Sequence, residues 1–97
     1  MSDGKLTESQ HRFDELLRQF PWLAKYWDVP NNSYDPDRLQ SDMGAWSHGE
    51  QILARFFVMV WRGDNKDAQF DLIDAAAILG PDERRVITYW FLEPFWP

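Results

Sequence analysis

Ser47-His48-Gly49-Glu50-Gln51-Ile52-Leu53-Ala54-Arg55-Phe56-Phe57-Val58-Met59-Val60-Trp61-Arg62-Gly63 is the stretch whose reading decides the fold class of this 97-residue chain. Ser47 and Glu50 stand three positions apart, the capping-box spacing in which each side chain satisfies the other residue's backbone N–H at a helix start. Ile52, Leu53, Phe56, Phe57, Met59, Val60 and Trp61 follow at helical spacing, and Gly63 supplies the stop. The polar side is narrow, essentially Gln51, Arg55 and Arg62, so most of this helix must be covered by other elements. The competing reading makes Phe56 to Trp61 a strand paired with Gln69 to Ile73 across the solvated turn Asp64-Asn65-Lys66-Asp67, because β-branched and aromatic residues also suit sheets.

Upstream, Thr7 and Gln10 repeat the capping-box spacing, and Phe13, Leu16, Leu17 and Phe20 form one helical stripe. Pro21 suits the first position of a second short turn, Trp22 to Trp27. Val29 to Asp37, with Pro30, Asn31, Asn32, Ser33 and Pro36, reads as an irregular loop, after which Pro36 opens a brief helix to Asp42 that Gly44 interrupts. Downstream, Leu72, Ile73, Ala76, Ala77 and Leu79 follow helical spacing until Gly80-Pro81. The last helix, Asp82 to Leu92, carries two acids in its first turn and buries Val86, Ile87, Trp90 and Phe91 before Pro94 ends it. The sum is an all-α, compact orthogonal bundle of four or five helices, with an α+β hairpin around residues 55–73 as the alternative. A single helical domain over residues 1–97 is expected, with residues 1–5 expected to be disordered.

Six Trp, seven Phe and three Tyr concentrate the hydrophobicity in large rings. Five of those rings fall in the last nine residues, Tyr89-Trp90-Phe91-Leu92-Glu93-Pro94-Phe95-Trp96-Pro97, so the end must dock on the core or on a partner. The net charge is -6, with 8 acids and 5 bases in each half of the chain. That balance opposes binding to nucleic-acid backbones or anionic lipid and suits a basic protein partner. With no cysteine there are no disulfides or thiolate metal sites, and the polar start Met1-Ser2-Asp3-Gly4-Lys5 shows neither a signal peptide nor a lipidation motif. A soluble cytoplasmic protein without membrane contact is expected.

Several constellations carry chemistry in principle and have plainer readings. His11, Asp14 and Glu15 adjoin on the first helix at ligand-like spacing, but with Arg12 and Arg18 nearby they read as a solvated face. His48 reads as structural. Ala76, Gly80 and Val86 match a helix-turn-helix spacing, yet the span from Asp71 to Pro97 holds five acids against two bases, Arg84 and Arg85. No nucleophile with a base, no glycine-rich phosphate loop and no cofactor motif is present, so no catalytic, metal or cofactor residue is assigned. The acid pairs Asp14/Glu15, Asp71/Asp74 and Asp82/Glu83 would support nucleic-acid mimicry if they converged on one face. Trp22, Trp27, Phe95 and Trp96, at element ends, are the candidate protein-contact residues, because interfaces favour such rings at their energetic centres.

The stretches Ala54-Arg55-Phe56-Phe57-Val58-Met59-Val60-Trp61, Phe70-Asp71-Leu72-Ile73-Asp74-Ala75-Ala76 and Pro94-Phe95-Trp96-Pro97 resemble small uncharacterised bacterial proteins of the kind carried on mobile genetic elements. The resemblance covers about the second half of the chain and assigns no activity. It implies a bacterial cytosol, where accessory and inhibitory proteins that act by binding are common. The expected function is therefore a non-enzymatic acidic factor working by protein–protein interaction. An acidic inhibitor or nucleic-acid mimic, and an enzyme with unrecognised residues, are the alternatives.

Overall fold

Side-chain caps and prolines set where each helix begins in the computed structural model, which describes residues 6–97. The expectation for residues 1–5 lies outside the described residues. Among the latter the order is α1 (Glu8–Leu17), α2 (Pro21–Ala24), β1 (Trp27–Asp28), a 3-10 turn (Val29–Asn31), β2 (Ser33–Tyr34), α3 (Pro36–Met43), α4 (His48–Arg62), α5 (Leu72–Ile78) and α6 (Pro81–Leu92). Both capping boxes form: Gln10 N–H donates to Thr7 Oγ1 at 3.0 Å, and Glu50 N–H to Ser47 Oγ at 3.2 Å, each answered by the reverse bond. Asp35 caps α3 by accepting from the Arg38 N–H, and Asp71 caps α5 by accepting from the Ile73 and Asp74 N–H groups. Pro21, Pro36 and Pro81 sit inside the first turns of α2, α3 and α6, where a missing N–H costs nothing.

The described residues divide into two compact units, residues 6–44 with Pro97, and residues 45–96. In the first, Phe13, Leu16 and Leu17 of α1, Leu23 of α2, and Leu39 and Met43 of α3 are buried. The segment read as an irregular loop is a tight antiparallel hairpin, with Trp27 opposite Tyr34 and Asp28 opposite Ser33. Asn32 closes it in the left-handed region, φ 54°, and its N–H donates to the Val29 carbonyl at 2.9 Å. Asparagine tolerates that conformation where a branched residue would not. The fold is thus mostly helical with one small sheet, which corrects the all-α expectation. It is compatible with the α+β class, but its hairpin spans residues 27–34 and not residues 55–73.

In the second unit, residues 48–62 form the expected central helix, burying Ile52, Leu53, Ala54, Phe56, Phe57 and Val60. Its polar strip is bonded to the adjoining loops: Gln51 Nε2 donates to the Trp46 carbonyl, Arg55 Nη1 to the Ala68 carbonyl, and Arg62 pairs with Asp67 at 2.8 Å. Gly63 stops the helix at φ 79°, a conformation that penalises any side chain. What was open to a strand pairing is a loop laced by Asn65, whose side chain accepts from the Phe70 N–H at 2.7 Å and donates to the Phe70 carbonyl at 2.9 Å. Because α4 keeps its own backbone hydrogen bonds and Asn65 holds Phe70, no ladder forms between them. Phe70 meets Phe56 of α4, whereas Ile78 and Leu79 lie against Gly49, so α5 runs back along α4. Six α-helices appear among the described residues where four or five were expected, since α2 and α5 are each only one or two turns long.

Candidate functional site

The sequence offered Trp22, Trp27, Phe95 and Trp96 as contact residues, and the structure separates them by burial. Trp27 is buried at the start of the hairpin, stacked on Tyr34 at 5.2 Å and tilted against Phe13 at 5.9 Å. Trp22 is half-buried and meets Phe20 edge-on at 6.3 Å. Phe95 is buried, whereas Trp96 remains 58% exposed. Pro94 ends the helical run, and the Trp90 indole N–H donates to the Phe95 carbonyl at 2.8 Å, which holds the terminus folded back in its own unit.

The polar cluster of the first unit centres on Tyr26. Its hydroxyl donates a short hydrogen bond to Asp42 of α3, and the Lys25 and Arg38 cations each lie 5.4 Å from its ring centroid. The bond to Asp42, then burial, raises the Tyr26 pKa above the ordinary phenol value of 10.0. A raised phenol pKa means that the folded state holds the proton more tightly than the unfolded chain. The stability it contributes is therefore complete below pH 10 and lost as pH rises through the folded-state value. Tyr26→Phe should lose about 1–2 kcal/mol at neutral pH and flatten the stability profile above pH 10, read by urea unfolding at stepped pH. A wild-type profile as flat as the variant's would remove Tyr26 as a strut. The concavity beside the hairpin, about 380 Å³ and lined by Lys25, Tyr26, Trp27, Asp28, Tyr34 and Asp35 among others, is open and shallow.

The remaining polar expectations resolve into local pairs. Asp14 turns to Arg18 at 2.6 Å, and His11 lies 3.7 Å from Glu15, so the three residues do not converge. Among the described residues, no group of three His, Asp or Glu side chains is placed to hold a metal ion. His48 is exposed at the start of α4. Of the helix-turn-helix positions, Val86 is buried but Ala76 is exposed, so the small residue does not face the second helix. No helix among the described residues is long and apolar enough to cross a membrane.

The second unit exposes a different surface. Leu72 at 57%, Ile73 at 77%, Phe91 at 69% and Leu92 at 80% lie open to solvent with Trp96, where burial of Phe91 was expected. Phe56 of α4 meets both Phe70, which precedes α5, and Trp90, near the end of α6, at 5.6 and 5.8 Å. Trp90 in turn meets Phe91 at 6.5 Å and Trp96 at 6.0 Å. Comparison with protein-family models, with curated proteins and with solved structures returns no match.

The exposed set has a geometric cause. α5 is two turns long and buries only Ala75, with Leu79 just beyond it, so Leu72 and Ile73 fall outside that narrow contact. In α6, Val86, Ile87 and the half-buried Trp90 already fill the inward stripe, leaving Tyr89, Phe91 and Leu92 on the rest of the circumference. Tyr89 and Leu92 were not named as candidates. The signal that finds them is the last turn of α6, Tyr89-Trp90-Phe91-Leu92, which is apolar on every side and cannot be covered by one neighbour.

Proposed function

We propose that this chain is a non-enzymatic binding protein whose contact surface is the apolar end of its second unit. One observation carries the reading: Phe91, Leu92 and Trp96 are exposed beside Trp90 at the end of α6, and Leu72 and Ile73 are exposed on α5 of the same unit. Soluble proteins rarely leave contiguous apolar surface of several hundred Å² open unless something covers it. The proposed setting is the cytosol of a bacterium, as an accessory or regulatory factor. Nucleic-acid mimicry is less favoured, because Arg18, Arg38, Arg62 and Arg85 each sit beside a carboxylate, at Asp14, Asp42, Asp67 and Asp82, and break up any continuous acidic face.

Affinity capture from bacterial lysate tests the surface, comparing the intact chain with a Phe91→Ala/Leu92→Ala variant and with Trp96→Ala. Both variants alter exposed side chains, so each should stay folded in a thermal melt, with a shift of only a few degrees for Trp96→Ala from its lost contact with Trp90. Removing a central interface anchor weakens binding by about 2 kcal/mol or more, roughly thirtyfold. Captured proteins retained equally by all three would place the contact elsewhere.

A further inference from the structure

One buried ring anchors the chain beyond α6. Of residues 93–96 only Phe95 is buried, while Glu93, Pro94 and Trp96 are exposed. The Phe95 carbonyl accepts the Trp90 indole N–H at 2.8 Å, so that proton joins α6 to the segment and reports on it. Trp96 follows, edge-on to Trp90 at 6.0 Å, and its Cδ1 lies 3.7 Å from the place a Cβ on Gly63 would take, at the end of α4. Being 58% exposed, Trp96 gains little burial of its own and takes its position from the anchored residue before it. In the same unit α4 buries Ile52, Leu53, Ala54, Phe56, Phe57 and Val60. The cost of opening a segment rises with its buried contacts, so a chain end with one buried residue in four opens far more readily than α4.

Resting on the binding surface proposed above, we infer that residues 93–96 form a strap that docks and undocks as a unit, with Phe95 as its anchor, and that only the docked strap completes the contact surface. Docking sets Trp96 against Trp90, which Phe91 also meets; undocking carries Trp96 away and hands the Trp90 indole N–H to water. The entropy of ordering the strap opposes the burial of Phe95, which leaves the docked state favoured by about a hundredfold. A partner that touches Trp96 binds the docked state alone. It therefore tightens docking by its own differential affinity, and a change that undocks the strap weakens the partner in return. Phe95 is a positioning residue in this arrangement, because it acts on the surface only through Trp96.

Hydrogen exchange of the full chain, followed by NMR at the Trp90 indole N–H and at the α4 amides, tests this. The indole proton should be protected about a hundredfold over a free indole, whereas the amides of Leu53 to Phe57 should be protected at least about ten-thousandfold. Low urea should speed the α4 amides and change the indole little, since strap opening exposes little surface. Phe95→Asp puts a carboxylate where a buried ring sat and should abolish the indole protection, while the α4 amides keep at least about a hundredfold. Towards the proteins captured from lysate, Phe95→Asp should bind as weakly as Trp96→Ala, roughly thirtyfold below the intact chain, and the double variant no more weakly than either. Exchange of the Trp90 proton at the α4 rate, or loss of all α4 protection in Phe95→Asp, overturns the strap as a separate unit. An unprotected Trp90 proton in the intact chain overturns its docking. If exchange is as expected and Phe91→Ala/Leu92→Ala loses capture but Phe95→Asp does not, the contact surface stands and the strap's control of it falls. If capture survives every variant, both readings fall.

Discussion

Phe56→Ala should destabilise the chain by about 3–5 kcal/mol, the range for emptying a packed aromatic site, and lower its melting temperature by more than about 10 °C. Phe56 is 1% exposed and touches rings from three places: Phe57 beside it on α4, Phe70 in the loop and Trp90 on α6, at 5.4, 5.6 and 5.8 Å. Stiff rings held by separate segments cannot collapse into the space left behind, so the cavity cost should lie toward the upper end. Urea unfolding followed by tryptophan fluorescence measures it. A loss below about 1.5 kcal/mol would mean that the three segments are held together by something other than this ring.

The second large effect concerns the terminus. Phe95 is 4% exposed and Trp96 58%, so two neighbouring aromatics should respond very differently to truncation. Phe95→Ala removes a buried ring and should cost about 3 kcal/mol, whereas Trp96→Ala gives up mainly its edge-on contact with Trp90, about 1 kcal/mol. The same denaturant melts, run side by side, check this contrast. Equal costs would mean that the terminus docks through both rings or through neither. Deleting the chain after Leu92 is a poor probe of binding for the same reason, since it removes Phe95 along with Trp96.

Helix positions were legible wherever the information is local. Thr7 with Gln10, Ser47 with Glu50, the N-terminal prolines and Gly63 specify ends by hydrogen bonds that span only a few residues, and the helices start and stop as those residues dictate. The hairpin was not legible because each strand has two residues, too few for an alternating pattern, and its closure depends on Asn32 adopting a positive φ. Sidedness was the larger failure. Leu72 and Ile73 satisfy a helical stripe with Leu79, but burial depends on which neighbour covers that stripe, and of the three only Leu79 is buried, beside Ala75, which the stripe did not include. Among the candidate residues, Trp96 was singled out and is exposed, whereas Trp27 was singled out and lies buried between Phe13 and Tyr34. A ring's position at an element end says little about its exposure when the adjoining turn folds over it.

The fold-back of the terminus has an optical consequence. Trp90 and Trp96 lie 6.0 Å apart with their indole planes at 83°, close enough and skewed enough for their electronic transitions to couple. Coupled indoles give a paired, oppositely signed band in circular dichroism, and that band vanishes once the two separate. The part of that band which Trp96→Phe removes therefore reports whether Trp96 is in place, and its loss while the helical signal persists marks detachment of the last residues alone.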